Sequence, residues 1–291
     1  MFRGSFVAIV TPFKGGKIDF KKFSELIKMH IEKGTGGIVP CGTTGESATM
    51  SHDEHMEVVE FVVKTVNKKI PVIAGTGSNN TLEALRLTEH AQKVGADAAL
   101  VITPYYNKPP QEGLYRHYKE IASKVDIPIV IYNVPGRTGI SIAPETVARI
   151  RKEFKNVVAV KEASGVLDNV SSIIELCDPD FDVLSGDDAL TLPMMAIGAK
   201  GVISVAANIV PGDMAAMIEA FAKGNLKEAR RLHLKMFPLI KALFMETNPI
   251  PVKTALGILG LCPPEVRLPL SPMSDANIKK LKGVMKEYGL M

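Results

Sequence analysis

The chain has 291 residues, 46% hydrophobic and 23% charged, the balance of a soluble globular protein with a core of good size. That length accommodates two ordinary domains or one large α/β barrel. The formal charge of +4 is small, the lysines spread over helix faces, and no apolar run reaches about 18 residues; nucleic acid is not implied as a partner and no membrane span is expected.

Met1-Phe2-Arg3-Gly4 leads almost directly into a first apolar run at 6–10, which leaves no room for a signal peptide. Thr11-Pro12-Phe13 and Gly15-Gly16 end that run. Helical spacing follows over 18–33, with Phe23, Leu26, Ile27 and Ile31 on one face and Gly34 as the stop. The second strand, 37–40, runs into Gly42-Thr43-Thr44-Gly45-Glu46-Ser47. Ser51-His52-Asp53-Glu54 is a capping box opening a helix to about Val66. Further strands are read at 71–74, 98–103, 128–133, 157–161, 182–185 and 201–205, with helices between them. Asn80 or Thr81, Glu112, Pro144 and Asp168 begin four of these helices.

Eight apolar strands alternating with helices predict an α/β fold, a (β/α)8 TIM barrel spanning 1–211. A doubly wound open sheet is the alternative, but no G-x-G-x-x-G follows the first strand. Residues 212–291 carry no convincing strand and read as a helical C-terminal extension, with helices near 213–223, 226–244, 250–259 and 274–288. Cys41, Cys177 and Cys262 are far apart and odd in number, which suggests a reducing, cytoplasmic setting without disulfides. Cys41 is read as the end of a strand and as core packing.

Barrel active sites lie where strands end and βα loops begin. The sixth strand, Val157-Val158-Ala159-Val160, runs straight into Lys161. An ammonium at the end of a buried strand is costly to desolvate unless it is paired or loses its proton. A deprotonated lysine is a nucleophile able to form a Schiff base with a keto acid. The same reading places Thr43, Thr44, Tyr105, Tyr106, Tyr132 and Gly186 at strand ends, with Arg137 on a Pro-Gly loop just beyond Tyr132. Each has a bland alternative: a snorkelling lysine, tyrosines as amphipathic packing, threonines as turn residues, a solvated arginine. Their coincidence at one end of one barrel favours chemistry. Tyr132, one strand from Lys161, can move protons onto and off a carbinolamine oxygen. The Gly42–Gly45 turn offers backbone N–H groups to a carboxylate, and Arg137 can bind a second carboxylate through two donors. His52 and His55 are three apart with no third ligand nearby, so they read as a solvated helix face, and no metal or cofactor is expected.

These stretches resemble the dihydrodipicolinate synthases, also called 4-hydroxy-tetrahydrodipicolinate synthases, of the pyruvate-dependent class I aldolase superfamily that includes N-acetylneuraminate lyase. The resemblance covers essentially the whole chain. It rests on Gly42-Thr43-Thr44-Gly45-Glu46-Ser47, Thr103-Pro104-Tyr105-Tyr106-Asn107, Tyr132 through Gly139, Val160-Lys161-Glu162-Ala163 and Asn248-Pro249-Ile250-Pro251-Val252-Lys253. It implies a lyase in which Lys161 forms a Schiff base with pyruvate and Tyr132 donates and accepts protons. Thr43 and Tyr106 complete a relay, the tyrosine reaching across a dimer interface. Thr44 and Ile203 contact pyruvate, and Arg137 recruits the carboxylate of aspartate semialdehyde. The reaction would be the first committed step of diaminopimelate and lysine biosynthesis. A homotetramer made of two tight dimers is implied. So is feedback by lysine, bound at positions matching Ser47, Ala48, His52, His55, Asn79, Glu83 and Tyr105.

Two other readings remain at this point. N-acetylneuraminate lyase or a keto-deoxy sugar acid aldolase shares the lysine and tyrosine but handles polyols, for which Arg137 is ill suited. A barrel that binds a keto acid without turning it over is the reading of a different class.

Overall fold

The computed structural model describes residues 2–291. Eight parallel strands alternate with helices along the chain. Contacts gather them into two compact units, one made of Pro71–Ile203 with the residues up to Arg3, the other of Gly4–Ile70 with Ser204–Met291.

The first unit is a continuous βα series: β3 (Ile73–Gly75), β4 (Ala98–Ile102), β5 (Ile129–Asn133), β6 (Val157–Glu162), β7 (Asp182–Ser185) and β8 (Gly201–Ser204). Each strand pairs in parallel with the next in sequence. All six residues of β6 are buried, as are all five of β5. β-Branched residues crowd both strands, as a parallel sheet covered on both faces requires. Between the strands run helices at Thr81–Lys93, Gln111–Ala122, Pro144–Glu153, Leu167–Leu176 and Thr191–Ile197. Asn80 caps the first of these by accepting from the Leu82 N–H, and Pro144 opens the third at its N1 position.

The second unit holds β1 (Gly4–Ala8) and β2 (Gly37–Val39), paired in parallel with Phe6 opposite Gly37. Its first helices are α1 (Phe20–Glu32) and α2 (His52–Val66). Ser51 and Glu54 form the expected reciprocal capping box on α2. Helices Pro211–Ala222, Leu226–Ala242, Ile250–Ile258 and Asp275–Tyr288 make up the C-terminal part. Asn208 ties this part to β1: its Nδ2 donates to the Ala8 carbonyl (2.8 Å) and its Oδ1 accepts from the Val10 N–H (3.2 Å).

Several boundaries differ from the sequence reading for local reasons. Residues 13–17, read as a break, and Ile18, read as the start of a helix, form a two-stranded hairpin of Phe13–Lys14 with Lys17–Ile18. Gly15 and Gly16 both have positive φ (59° and 75°), the requirement for a tight two-residue hairpin turn. β1 begins at Gly4 rather than at the apolar run, and β3 lies at 73–75 rather than 71–74. Cys41 does not end a strand. It sits in the turn after β2 at φ 54°, buried, and burial pushes its thiol up, away from a nucleophilic thiolate.

Two histidines are packed inside as neutral rings. His30 is fully buried, its Nδ1 bonded to Thr35 Oγ1 (3.0 Å). His117 is 5% exposed, its Nδ1 bonded to Thr81 Oγ1 (2.9 Å). Neither Nε2 has a hydrogen-bond partner. Burial lowers both from 6.5 to about 4. Below pH 6.5 the unfolded chain takes up these protons before the folded one does. The stability the two rings contribute is therefore complete above pH 6.5 and is lost as pH falls towards 4, by up to about 3 kcal/mol per histidine. Urea unfolding across that range should show the slope, and His117→Phe should reduce it by about half.

Candidate active site

β6 delivers the central amine. Lys161 is 6% exposed, so its stem does not snorkel to solvent. Parallel pairing sets Tyr132 of β5 against Lys161, and Asn133 against Glu162. Residues in register share a face, so Tyr132 and Lys161 point one way and Asn133 and Glu162 the other. The Lys161 Nζ lies 4.2 Å from the centroid of the Tyr132 ring. On the opposite face, Asn133 Nδ2 donates to Glu162 Oε2 (2.9 Å) and to Ser141 Oγ (3.1 Å). The other oxygen of Glu162 accepts from the Ser164 N–H (2.6 Å). This latch fixes the two strand ends against each other and so fixes the register of the lysine and tyrosine.

Gly186, just beyond β7, donates its N–H to the Glu162 carbonyl (2.7 Å). A Cβ there would lie 2.6 Å from Ala163 Cβ and 3.1 Å from Lys161 Cε, so the lysine stem needs glycine at this position. Ile203, in β8, is buried. Arg137 lies exposed on the single helical turn Pro135–Thr138, directly after β5. Lys108 reaches the same loop: a Cβ on Gly139 would meet its Cε at 2.7 Å and its Nζ at 3.4 Å. The loop edge therefore carries two cationic side chains, Arg137 and Lys108.

The loop after β4 carries Tyr105 and Tyr106. Tyr106 is 89% exposed and held at φ 70°, an uncommon backbone region for an aromatic residue. Asn107 Nδ2 donates to the Asn79 carbonyl (2.9 Å), which anchors this loop. Glu83 accepts from Ser78 Oγ (2.7 Å). Asn79, Glu83 and Tyr105 thus belong to one neighbourhood of the first unit.

Thr43 and Thr44 lie in the second unit, in a compact turn closed by Gly45 N–H to the Gly42 carbonyl (3.1 Å) and Glu46 N–H to the Thr43 carbonyl (3.1 Å). A Cβ on Gly45 would meet the backbone of Cys41 at 3.1 Å and of Ile9 at 3.2 Å, so a larger residue would require that backbone to give by a few tenths of an ångström. Thr11 Oγ1 pins it by donating to the Gly45 carbonyl (2.7 Å). Thr44 is 2% exposed, and its Oγ1 accepts from Asn248 Nδ2 (3.0 Å). With the oxygen so occupied, the Thr44 hydroxyl proton is left to donate elsewhere. Ser47 and Ala48 open the 3-10 turn Ser47–Thr49, and His52 opens α2. His55 is not on a solvated face as expected from the sequence: it is 6% exposed, and its carbonyl accepts from Cys41 Sγ at 3.7 Å. The α2 stripe that faces inward is Val58, Val59 and Val62, and His55 falls one turn before it.

The burial of a second lysine, the last residue of the Asn248–Lys253 stretch, was not foreseen from the sequence. Lys253 is fully buried and donates to Glu46 Oε1 at 2.6 Å. Burial lowers its tendency to hold a proton, and the Glu46 carboxylate opposes that. Lys161, by contrast, has no carboxylate within ion-pair distance among the described residues. Of the two, Lys253 is the one held by a carboxylate. Among the described residues no group of three or more His, Cys, Asp or Glu side chains could hold a metal ion, and no helix is long and apolar enough to cross a membrane.

Comparison with known proteins identifies the family. The family model described as Dihydrodipicolinate synthetase family matches residues 1–288. The chain is 58% identical to the 4-hydroxy-tetrahydrodipicolinate synthase of Geotalea uraniireducens (strain Rf4) over 100% of both chains. It superimposes on dihydrodipicolinate synthase from Aquifex aeolicus with a TM-score of 0.98, 52% identity and 99% of each chain covered. It is also similar to the enzyme from Cyanidioschyzon merolae solved with lysine bound (TM-score 0.96, 42% identity, 100% of this chain and 99% of that one). The fold is the (β/α)8 barrel with C-terminal helices expected from the strand pattern. On full-length identity, shared architecture and a buried lysine aligned with a tyrosine at adjacent strand ends, the chain belongs to the dihydrodipicolinate synthetase family.

Proposed function

We propose that this chain is a 4-hydroxy-tetrahydrodipicolinate synthase, a lyase that condenses pyruvate with aspartate semialdehyde through a Schiff base on Lys161. The observation that carries the reading is the buried, carboxylate-free Lys161 in register with Tyr132. The Lys161 amine attacks the keto carbon of pyruvate. The carbinolamine oxygen leaves as water after protonation, with Tyr132 as the proton donor and acceptor. Loss of a methyl proton gives the enamine, which forms a carbon–carbon bond to the aldehyde. The semialdehyde's own amine then adds to the imine carbon and displaces the lysine, closing the ring.

The other roles follow from chemistry. Thr43 and Tyr106 relay protons between Tyr132 and solvent. Thr44 donates to the pyruvate carboxylate, Ile203 and Gly186 line its position, and Arg137 binds the semialdehyde carboxylate. No cofactor is needed, because the covalent lysine adduct supplies the electron sink. An 89%-exposed tyrosine held in a left-handed loop suits a residue completed by a second copy; the family resemblance extends this to a homotetramer of two tight dimers, acting in the cytoplasm. Lysine, the end product, inhibits by binding at Ser47, Ala48, His52, His55, Asn79, Glu83 and Tyr105; the bound lysine in the Cyanidioschyzon merolae relative supports this. Millimolar lysine should lower the rate and raise the melting temperature.

Pyruvate trapping tests the central step. Borohydride reduction in the presence of pyruvate should place the mass increment on the peptide containing Lys161, with Lys253 unmodified. An unmodified protein, or an adduct on another lysine, would overturn the assignment.

A further inference from the structure

We infer that Lys253 is a positioning residue for this reaction, acting through Glu46 on the turn that carries Thr43 and Thr44; the inference rests on the catalytic reading above. The carboxylate of Glu46 is the centre of the device. Glu46 is 3% exposed and sits at φ 55°, a strained backbone state that persists only when its surroundings over-determine it. The surroundings do so from 207 residues away. Lys253 Nζ donates to one carboxylate oxygen at 2.6 Å. The Arg267 backbone N–H donates to the other at 3.1 Å, and Thr49 Oγ1 approaches it at 3.4 Å.

The cations are themselves held. Lys253 Nζ and the Arg267 guanidinium each lie 4.2 Å from the centroid of the Phe13 ring, whose face attracts positive charge. Arg267 also binds both oxygens of Glu54 (2.9 and 2.7 Å), the Thr49 carbonyl (3.2 Å) and the Gly16 carbonyl (2.8 Å). Glu265 accepts from the Gly15 and Gly16 N–H groups (2.8 and 2.5 Å) and so fixes the hairpin that presents Phe13. Asn248, five residues before Lys253, reaches the turn directly through Thr44. The C-terminal part therefore grips both ends of the turn, Thr44 by a neutral hydrogen bond from Asn248 and Glu46 by the buried charge of Lys253.

A buried ion pair is a poor way to gain stability, since two well-packed apolar residues of similar volume commonly do as well or better. What the pair supplies is geometry: a carboxylate that must meet an ammonium has one place to be. An expected cost in stability with a gain in placement is the signature of a residue kept for position.

The double variant Glu46→Gln/Lys253→Met separates the two. Each single variant leaves one buried charge alone and should lower the melting temperature. The double variant should recover it to near that of the unaltered protein, and should still give the reduced pyruvate adduct on Lys161 at saturating pyruvate. Its kcat, and its rate of exchanging pyruvate methyl protons with D2O, should stay about 10- to 100-fold lower, because the turn is no longer placed. Glu46→Asp provides a second route: it keeps both charges, shortens the reach by one methylene, and should show the same loss in kcat in a folded protein. If kcat and exchange return together with the melting temperature in the double variant, or if Glu46→Asp keeps full kcat, the positioning role is wrong. Absence of any adduct in the unaltered protein would instead sink the assignment of function on which the inference rests.

Discussion

Replacing Lys161 with methionine should remove condensation activity by on the order of 10^4-fold or more while leaving the fold as stable as before or more so. No other amine in the first unit occupies this place: Lys161 is the buried residue that register sets against Tyr132. Methionine matches the length of the lysine stem and carries no charge into a site where no carboxylate awaits it. Removing a buried, unpaired amine should add about 1 kcal/mol or more to unfolding stability, the trade expected where a residue serves chemistry at the expense of the core. Steady-state assay and urea unfolding on the same preparation read both effects. Retained activity in Lys161→Met would mean that another group carries the chemistry. A large loss of stability would mean that the lysine is structural.

Gly186→Ala should cost activity through the same lysine. The new methyl would stand 2.6 Å from Ala163 Cβ, a distance real side chains do not adopt, and 3.1 and 3.2 Å from Lys161 Cε and Cγ. Ala163 cannot rotate away, so the strand end or the lysine stem must shift. A shift of about 1 Å in the nucleophile is expected to lower kcat by about 100-fold, with a stability loss of about 1–3 kcal/mol from overpacking. The pair Gly186→Ala/Ala163→Gly relieves the worst overlap but leaves the lysine crowded. It should recover most of the melting temperature and only part of kcat. Full recovery of both would show that the contact with Lys161 is of no consequence.

What was legible in the sequence was whatever is encoded locally. β6 could be read because four apolar residues ending in lysine have few soluble uses. The start of α2 could be read because the capping box is a four-residue signal. The hairpin at 13–18 was missed because its strands are two residues each, too short to show alternation, although Gly15-Gly16 was the available clue. Cys41 was misplaced because a strand pattern does not reveal a left-handed turn residue, and His55 because the inward stripe of α2 extends one turn earlier than its valines suggest. The turn bearing Thr43 and Thr44 was visible, but not what holds it. Glu46 and Lys253 are 207 residues apart, and a lysine following Pro-Val in an otherwise apolar segment gives no sign that its ammonium ends inside the core.

The second unit joins Gly4–Ile70 to Ser204–Met291, while the first unit is, apart from the residues up to Arg3, one uninterrupted stretch of chain. During synthesis on a ribosome the two therefore have different timetables. The stretch bearing Lys161 and Tyr132 can collapse as soon as it has emerged. The hairpin that presents Phe13 and the turn bearing Thr43 and Thr44 emerge first, yet Asn248, Lys253 and Arg267 do not exist until roughly 200 residues later, a delay of about 10 s or more at ordinary elongation rates. For that interval the apolar strands β1 and β2 stand without the C-terminal part that completes their unit, so their apolar surface stays uncovered until the end of the chain emerges.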